Sequence, residues 1–182
     1  PRWKFNTDKH AAWATERIIE MVVANGGSAL VLSANKKNGE RYAEALRRKT
    51  KLKVYSQWDG RDPRLIVNDW RNDTASVMVG TRSLMTGVDA KGDTCSLVVI
   101  DRVPRAMGNV VDDARVKAVM ESLDIDRWAA DKFVYASDAS LLLEQAFGRL
   151  IRTMTDSGLA VCLDPRIVPG SPLSYRRDVS DI

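Results

Sequence analysis

The stretch Ser96-Leu-Val-Val-Ile-Asp101 holds four consecutive apolar residues between a serine and a carboxylate. A strand with one wet face alternates apolar and polar residues, whereas a strand apolar throughout must be covered on both faces. That condition is met by a parallel sheet between two helical layers. Residues 28–33 (SALVLS), 76–79 (SVMV) and 159–163 (LAVCL) have the same character, and a shorter strand is predicted over 51–55.

Between these strands the apolar period changes to that of a helix. Asp8 can cap a helix through Ala24, with Ala11, Ala14, Ile18, Met21 and Val22 at helical spacing and Asn25-Gly26-Gly27 to end it. A second helix is predicted over 35–49 with Tyr42, Ala45 and Leu46 inward, and a third opens at Asp62-Pro63 and runs to about residue 71, since proline suits the first helical position. Further helices are expected over 112–123 and 138–152, with another helical stretch over 126–133. Alternating strands and helices of this kind predict a three-layer α/β/α fold with one parallel sheet.

A chain of 182 residues fits one such domain. Its 45% hydrophobic and 29% charged residues exclude a disordered or fibrous protein. A net charge of +4 favours an anionic partner without requiring one. The two cysteines, Cys95 and Cys162, lie far apart among apolar neighbours and read as buried thiols of a reducing compartment. No apolar run reaches membrane-spanning length and no signal-peptide core opens the chain, so no membrane partner and a cytoplasmic location are expected. His10, the only histidine, receives no role.

In parallel α/β sheets ligands bind beyond the carboxyl ends of the strands. The loop after Val79, in VGTRSLMTGVDAKGD, combines three glycines with hydroxyl side chains, which suits phosphate but also describes an ordinary turn. In Gln145-Ala-Phe-Gly-Arg-Leu-Ile-Arg152, Gln145, Arg149 and Arg152 fall within a helical stripe roughly 60° wide, opposite Ala139, Leu143, Ala146 and Leu150. That stripe is either a solvated basic last turn or a set of donors for a ligand. Trp58 in SQWDGRDP could stack a base or simply pack.

The segment ending at Arg152 resembles the Q-x-x-G-R-x-x-R signature, motif VI, of superfamily 2 helicases, in the form found in the DinG/XPD-like branch. GGSALVLSANKKNGERYAEAL resembles that branch's motif IV region, VGTRSLMTGVDAKGDTCSLVVIDRVP its motif V with the following strand, and LDPRI the segment that closes the domain. The order matches from about residue 8 to 167. The chain is thus similar to the second, RecA-like motor domain of a DinG-type DNA helicase, with a linker over 1–7 and a tail over 168–182. Two departures stand out. Leu84, Met85 and Thr86 replace an aromatic, a tryptophan and a glutamate, and Arg105 replaces the phenylalanine that usually follows the L-P step.

The resemblance implies ATP and Mg²⁺ as cofactors, bound mainly by an N-terminal RecA-like helicase domain of the same or another chain, with single-stranded DNA as the other partner. It implies that Arg149 and Arg152 act as arginine fingers, with Gln145, Gly87 and Asp89 on the ATP side. It places Ser33, Asn35, Lys36, Thr81 and Ser83 against DNA, and it links the protein to DNA repair. The chain has neither a Walker A phosphate loop nor a D-E-A-H-like Walker B box, so alone it is expected not to hydrolyse ATP. An ATPase-silent nucleic-acid-binding module of the same fold is the alternative.

Overall fold

A computed structural model describes residues 8–84, 95–103, 110–147 and 157–165. Strands β1 (Ala29–Ser33), β2 (Val54–Ser56), β3 (Val77–Thr81), β4 (Leu97–Ile100) and β5 (Leu159–Cys162) form one sheet in the order β2-β3-β1-β4-β5. All pairings are parallel, and Val31 at the centre lies between Val79 and Val99. Helices α1 (Asp8–Ala24), α2 (Lys36–Lys49), α3 (Pro63–Arg71), α4 (Val110–Leu123) and α5 (Arg127–Phe147) complete the described chain.

The pleat divides the apolar strand residues between two cores, because neighbouring side chains point to opposite faces. Ala29 and Val31 pack with Ala14, Ile18 and Val22 of α1 and Tyr42 and Leu46 of α2. Leu30 and Leu32 pack on the other face with Ile66, Val67 and Trp70 of α3 and Leu143 of α5. Burying each of the larger side chains contributes on the order of 1.5–3 kcal/mol. The sheet is therefore held from both sides, and its carboxyl edge is left for other work.

Local signals set the element ends. Gly26 and Gly27 adopt positive φ of 71° and 92°, and their N–H groups donate to Val23 and Val22 carbonyls to close α1. A Cβ on Gly27 would lie 2.4 Å from the Ala75 carbonyl oxygen, so only glycine fits there. Asp62 caps α3 by accepting from the Arg64 N–H at 2.8 Å, with Pro63 at the first helical position.

Several predicted elements differ in extent from the structure. β2 begins at Val54 and extends to Ser56 rather than covering 51–55, and α4 starts at Val110 rather than 112. The stretches predicted separately over 126–133 and 138–152 form one helix, α5, as far as Phe147. Asp138, the predicted start of the last helix, lies inside α5 and accepts from both Arg115 guanidinium NH2 groups of α4, at 2.9 and 3.2 Å. Val116, Ala130 and Val134 seal the α4–α5 hairpin beneath that pair.

Candidate nucleic-acid interface

The strand order brings the ends of β1 and β3 side by side, with Ser33 paired in register with Thr81. β2 ends next to β3, where the Gln57 N–H donates to the Val79 carbonyl at 2.9 Å. Ser33, Gln57 and Thr81 thus share the carboxyl edge of three adjacent strands, the usual ligand edge of such sheets.

The turn after β1 is anchored by Asp101, which is fully buried. Asp101 Oδ1 accepts from the Ala34 N–H at 2.8 Å and the Arg102 N–H at 2.5 Å, while Oδ2 accepts from Tyr42 Oη at 3.0 Å and lies 3.1 Å from Ser33 Oγ. Burial pushes the Asp101 carboxyl above its ordinary range, and these donors act against that shift. Burial likewise pushes the Tyr42 phenol up, and the adjacent Asp101 charge adds to the effect. Ser33, the first predicted DNA contact, is itself buried and bound into this cluster, with its Oγ 2.9 Å from the Asn35 carbonyl oxygen. Asn35 caps α2, its side-chain oxygen accepting the Asn38 N–H at 2.9 Å. Lys36 opens the helix exposed, 3.6 Å from Glu40.

The turn after β3 is held by Gln57. Its Oε1 accepts both the Thr81 N–H, at 2.9 Å, and Thr81 Oγ1, at 3.1 Å, and its Nε2 donates to Ser83 Oγ at 2.9 Å. Thr81 Oγ1 and Ser83 Oγ are 3.0 Å apart. Gly80 leaves room beneath this arrangement, since a Cβ would meet Leu84 Cδ1 at 2.2 Å and Gln57 Oε1 at 2.9 Å and displace one of those side chains. Leu84, where the resemblance leads one to expect an aromatic, is buried over Gly80 and joins the core that contains Leu32 and Met78.

The loop that carries Gln57 is fixed in turn by Asp59, which accepts from Arg47 of α2 at 2.7 and 2.8 Å and from the Ser56 N–H at 2.9 Å. Trp58 packs onto Gly39 of α2, where a Cβ would lie 2.1 Å from the indole ring. Of the two readings for Trp58, the structure favours packing, since its ring covers the one position in α2 that lacks a side chain to obstruct it.

On α5, Gln145 is exposed while Leu143 is buried. Gly87, Asp89, Arg149 and Arg152 lie outside the described residues, as do the predicted linker over 1–7 and tail over 168–182. His10 is buried, and its Nε2 donates to the Leu163 carbonyl at 3.2 Å, tying α1 to the end of β5. Cys95 is buried, and burial pushes its thiol up to about 12. Cys162 is half-buried against the same core. Among the described residues no group of three or more histidine, cysteine or acidic side chains could hold a metal ion, and no helix is long and apolar enough to cross a membrane. A groove of about 550 Å³ lies at the opposite, amino ends of β2 and β3. Its charges are paired, Lys53 with Asp73 at 3.2 Å and Arg61 with Asp69 at 2.9 Å.

Sequence reasoning passed over Gln57 and gave Asp101 no role. An acid placed directly after four apolar strand residues was a usable signal for Asp101, because burial at that point demands donors. Gln57 had no comparable signal, since its partners Thr81 and Ser83 lie on a later strand and turn.

An all-parallel sheet, helices on both faces and a polar carboxyl edge define a RecA-like α/β domain. The chain belongs to the helicase C-terminal domain family, whose model matches residues 18–180. It is 35% identical over 150 residues to the ATP-dependent helicase DinG of Mycobacterium tuberculosis, covering 82% of this chain and 22% of that protein. It is 31% identical over 170 residues to the ATP-dependent DNA helicase YoaA of Haemophilus influenzae, covering 92% and 26%. Among solved structures, an XPD helicase superposes with a TM-score of 0.62 at 16% identity, over 97% of this chain and 32% of the other, a likeness of fold. The chain thus spans about a quarter of the length of these curated relatives.

Proposed function

We propose that this domain is the second motor half of an ATP-dependent, DinG-like DNA helicase. In this reading the carboxyl edge of β1–β3 lies against single-stranded DNA and α5 leads toward a nucleotide held by an N-terminal RecA-like domain. The observation that carries the DNA side is the meeting of Asn35, Lys36, Thr81 and Ser83 around one pair of strand ends, with the buried Ser33 holding the first turn from beneath. The charge at the start of α2 supports it. Lys36 and Lys37 occupy its first turn with no acid among them, an arrangement the helix dipole disfavours and an approaching phosphate relieves. Hydroxyls and lysines hold phosphates without reading bases, as a translocating motor requires.

On the ATP side, Gln145 is open to a ligand at the end of a helix whose other face is locked by Leu143. Arg149 and Arg152 follow it at helical spacing and are proposed as the finger pair. Phosphoryl transfer needs positioning and positive charge at the equatorial oxygens, which planar guanidiniums supply without losing a proton. Gly87 and Asp89 are proposed to link this side to the DNA edge. Mg²⁺ is assigned with the nucleotide to the first motor domain.

Binding of labelled oligothymidylate to this chain tests the DNA side. The logarithm of affinity is expected to fall linearly with that of salt concentration, and Lys36→Ala is expected to flatten the slope by about 0.7, one phosphate contact on single strands. Salt-independent binding, or a slope unchanged in the variant, contradicts this placement of the DNA.

A further inference from the structure

Helix α5 begins well beyond the end of the sheet. Tyr135 Oη donates to the Val103 carbonyl at 3.2 Å, just past the carboxyl end of β4, and Leu143, further along the helix, is buried in the same core as Leu30 and Leu32. The helix therefore runs from the carboxyl edge down along the sheet, and its first two turns stand above that edge. Trp128 lies seven residues before Tyr135, about 10 Å higher along the axis and within about 20° of the same stripe. Ala130 and Val134, which seal α5 to α4, fall on the opposite side of the helix. Trp128 thus serves neither seam, and it is 66% exposed.

We propose that Trp128 is a stacking platform for an unpaired DNA base, set above the carboxyl edge that carries the proposed phosphate contacts. This rests on the DNA-facing reading of that edge and adds a base contact to it. An indole offers a flat apolar face to any base, which gives affinity without sequence preference. Lys132, one turn further on, holds its Nζ 5.7 Å from the ring centroid and makes no ion pair among the described residues. A positive charge beside the ring suits a polyanion, whereas an apolar protein surface docked on the ring would desolvate that charge without matching it. Phe133 provides the contrast: it is 52% exposed but lies about 140° around the helix from Trp128, away from the stripe that rises over the edge.

The test is anisotropy of fluorescein-labelled oligothymidylate and of an abasic strand of the same length, titrated with the full chain, with circular dichroism of every variant. Trp128→Leu is expected to weaken binding of oligothymidylate about tenfold, the loss of one stacked base, while Trp128→Phe keeps a ring and is expected to stay within about threefold of wild type. The abasic strand presents phosphates without bases, so Trp128→Leu is expected to bind it as wild type does. Phe133→Leu is expected to bind oligothymidylate within about twofold of wild type. Wild-type affinity for oligothymidylate in a folded Trp128→Leu variant, or equal losses on the two strands, overturns the proposal while leaving the DNA-facing reading intact. Absence of binding by the folded wild-type chain overturns the functional reading, and this inference with it.

Discussion

The turns after β1 and β3 leave the sheet side by side, yet they are held by groups of opposite character. Asp101 anchors the first from full burial, with two N–H groups and two hydroxyls around its carboxylate. Gln57 anchors the second from the half-buried rim, with a neutral amide whose partners include the exposed Ser83. A buried polar group is costly to leave unmatched, whereas water can replace a bond at the rim. The deep anchor therefore governs stability, and the shallow one contributes little to the fold.

Substitutions can break that contrast, and the largest effect is expected at Asp101. Asp101→Ala takes the acceptor from the Ala34 and Arg102 N–H groups and the Tyr42 hydroxyl, while Ser33 keeps the Asn35 carbonyl; at roughly 1–3 kcal/mol for each buried donor, urea denaturation should show a loss of about 3 kcal/mol or more. Wild-type stability in this variant would mean that water already serves those donors. Gly39→Ala drives a methyl into Trp58 and is expected to cost about 1–3 kcal/mol by the same measurement, with part of the loss recovered when Trp58→Leu is added.

Asp101→Asn sharpens the comparison through pH. The folded carboxyl titrates above its ordinary value of 3.8, so its contribution is most favourable below that value and is lost as pH rises through the folded value. Thermal melts should therefore show the asparagine variant gaining on wild type as pH rises through that window. A difference that stays constant with pH would place the carboxyl outside a desolvated site. The smallest stability effect is expected for Gln57→Ala, about 1 kcal/mol or less by urea denaturation, because its bonds lie at the rim.

Much of this was legible in the sequence. The apolar run at Leu97–Ile100 and its counterparts implied a two-faced parallel sheet, and the capping signals at Asp62-Pro63 and Asn25-Gly26-Gly27 fell at the ends of α3 and α1. What escaped depended on tertiary contact. The sequence predicts a helix start at Asp138, but Arg115 of α4 takes up its carboxylate and α5 runs through the position. The site divided in the same way. Ser33, Asn35, Lys36, Thr81 and Ser83 could be placed near strand ends, whereas their supports, Asp101 and Gln57, act across sequence separations of 68 and 24. Hydrophobic period reports which face is covered, and it carries no information about which polar side chains meet at an edge.

The role proposed for this domain is to complete a helicase motor. Its most direct test is DNA-stimulated ATP hydrolysis by the domain joined to its first motor domain, comparing wild type with Arg149→Ala and Arg152→Ala. Each substitution is expected to lower the rate by about 10³-fold or more while the melting temperature and oligothymidylate affinity hold, as removal of an arginine finger should. Hydrolysis that survives either substitution unchanged would contradict the finger assignment and favour a domain that binds nucleic acid without serving the ATPase.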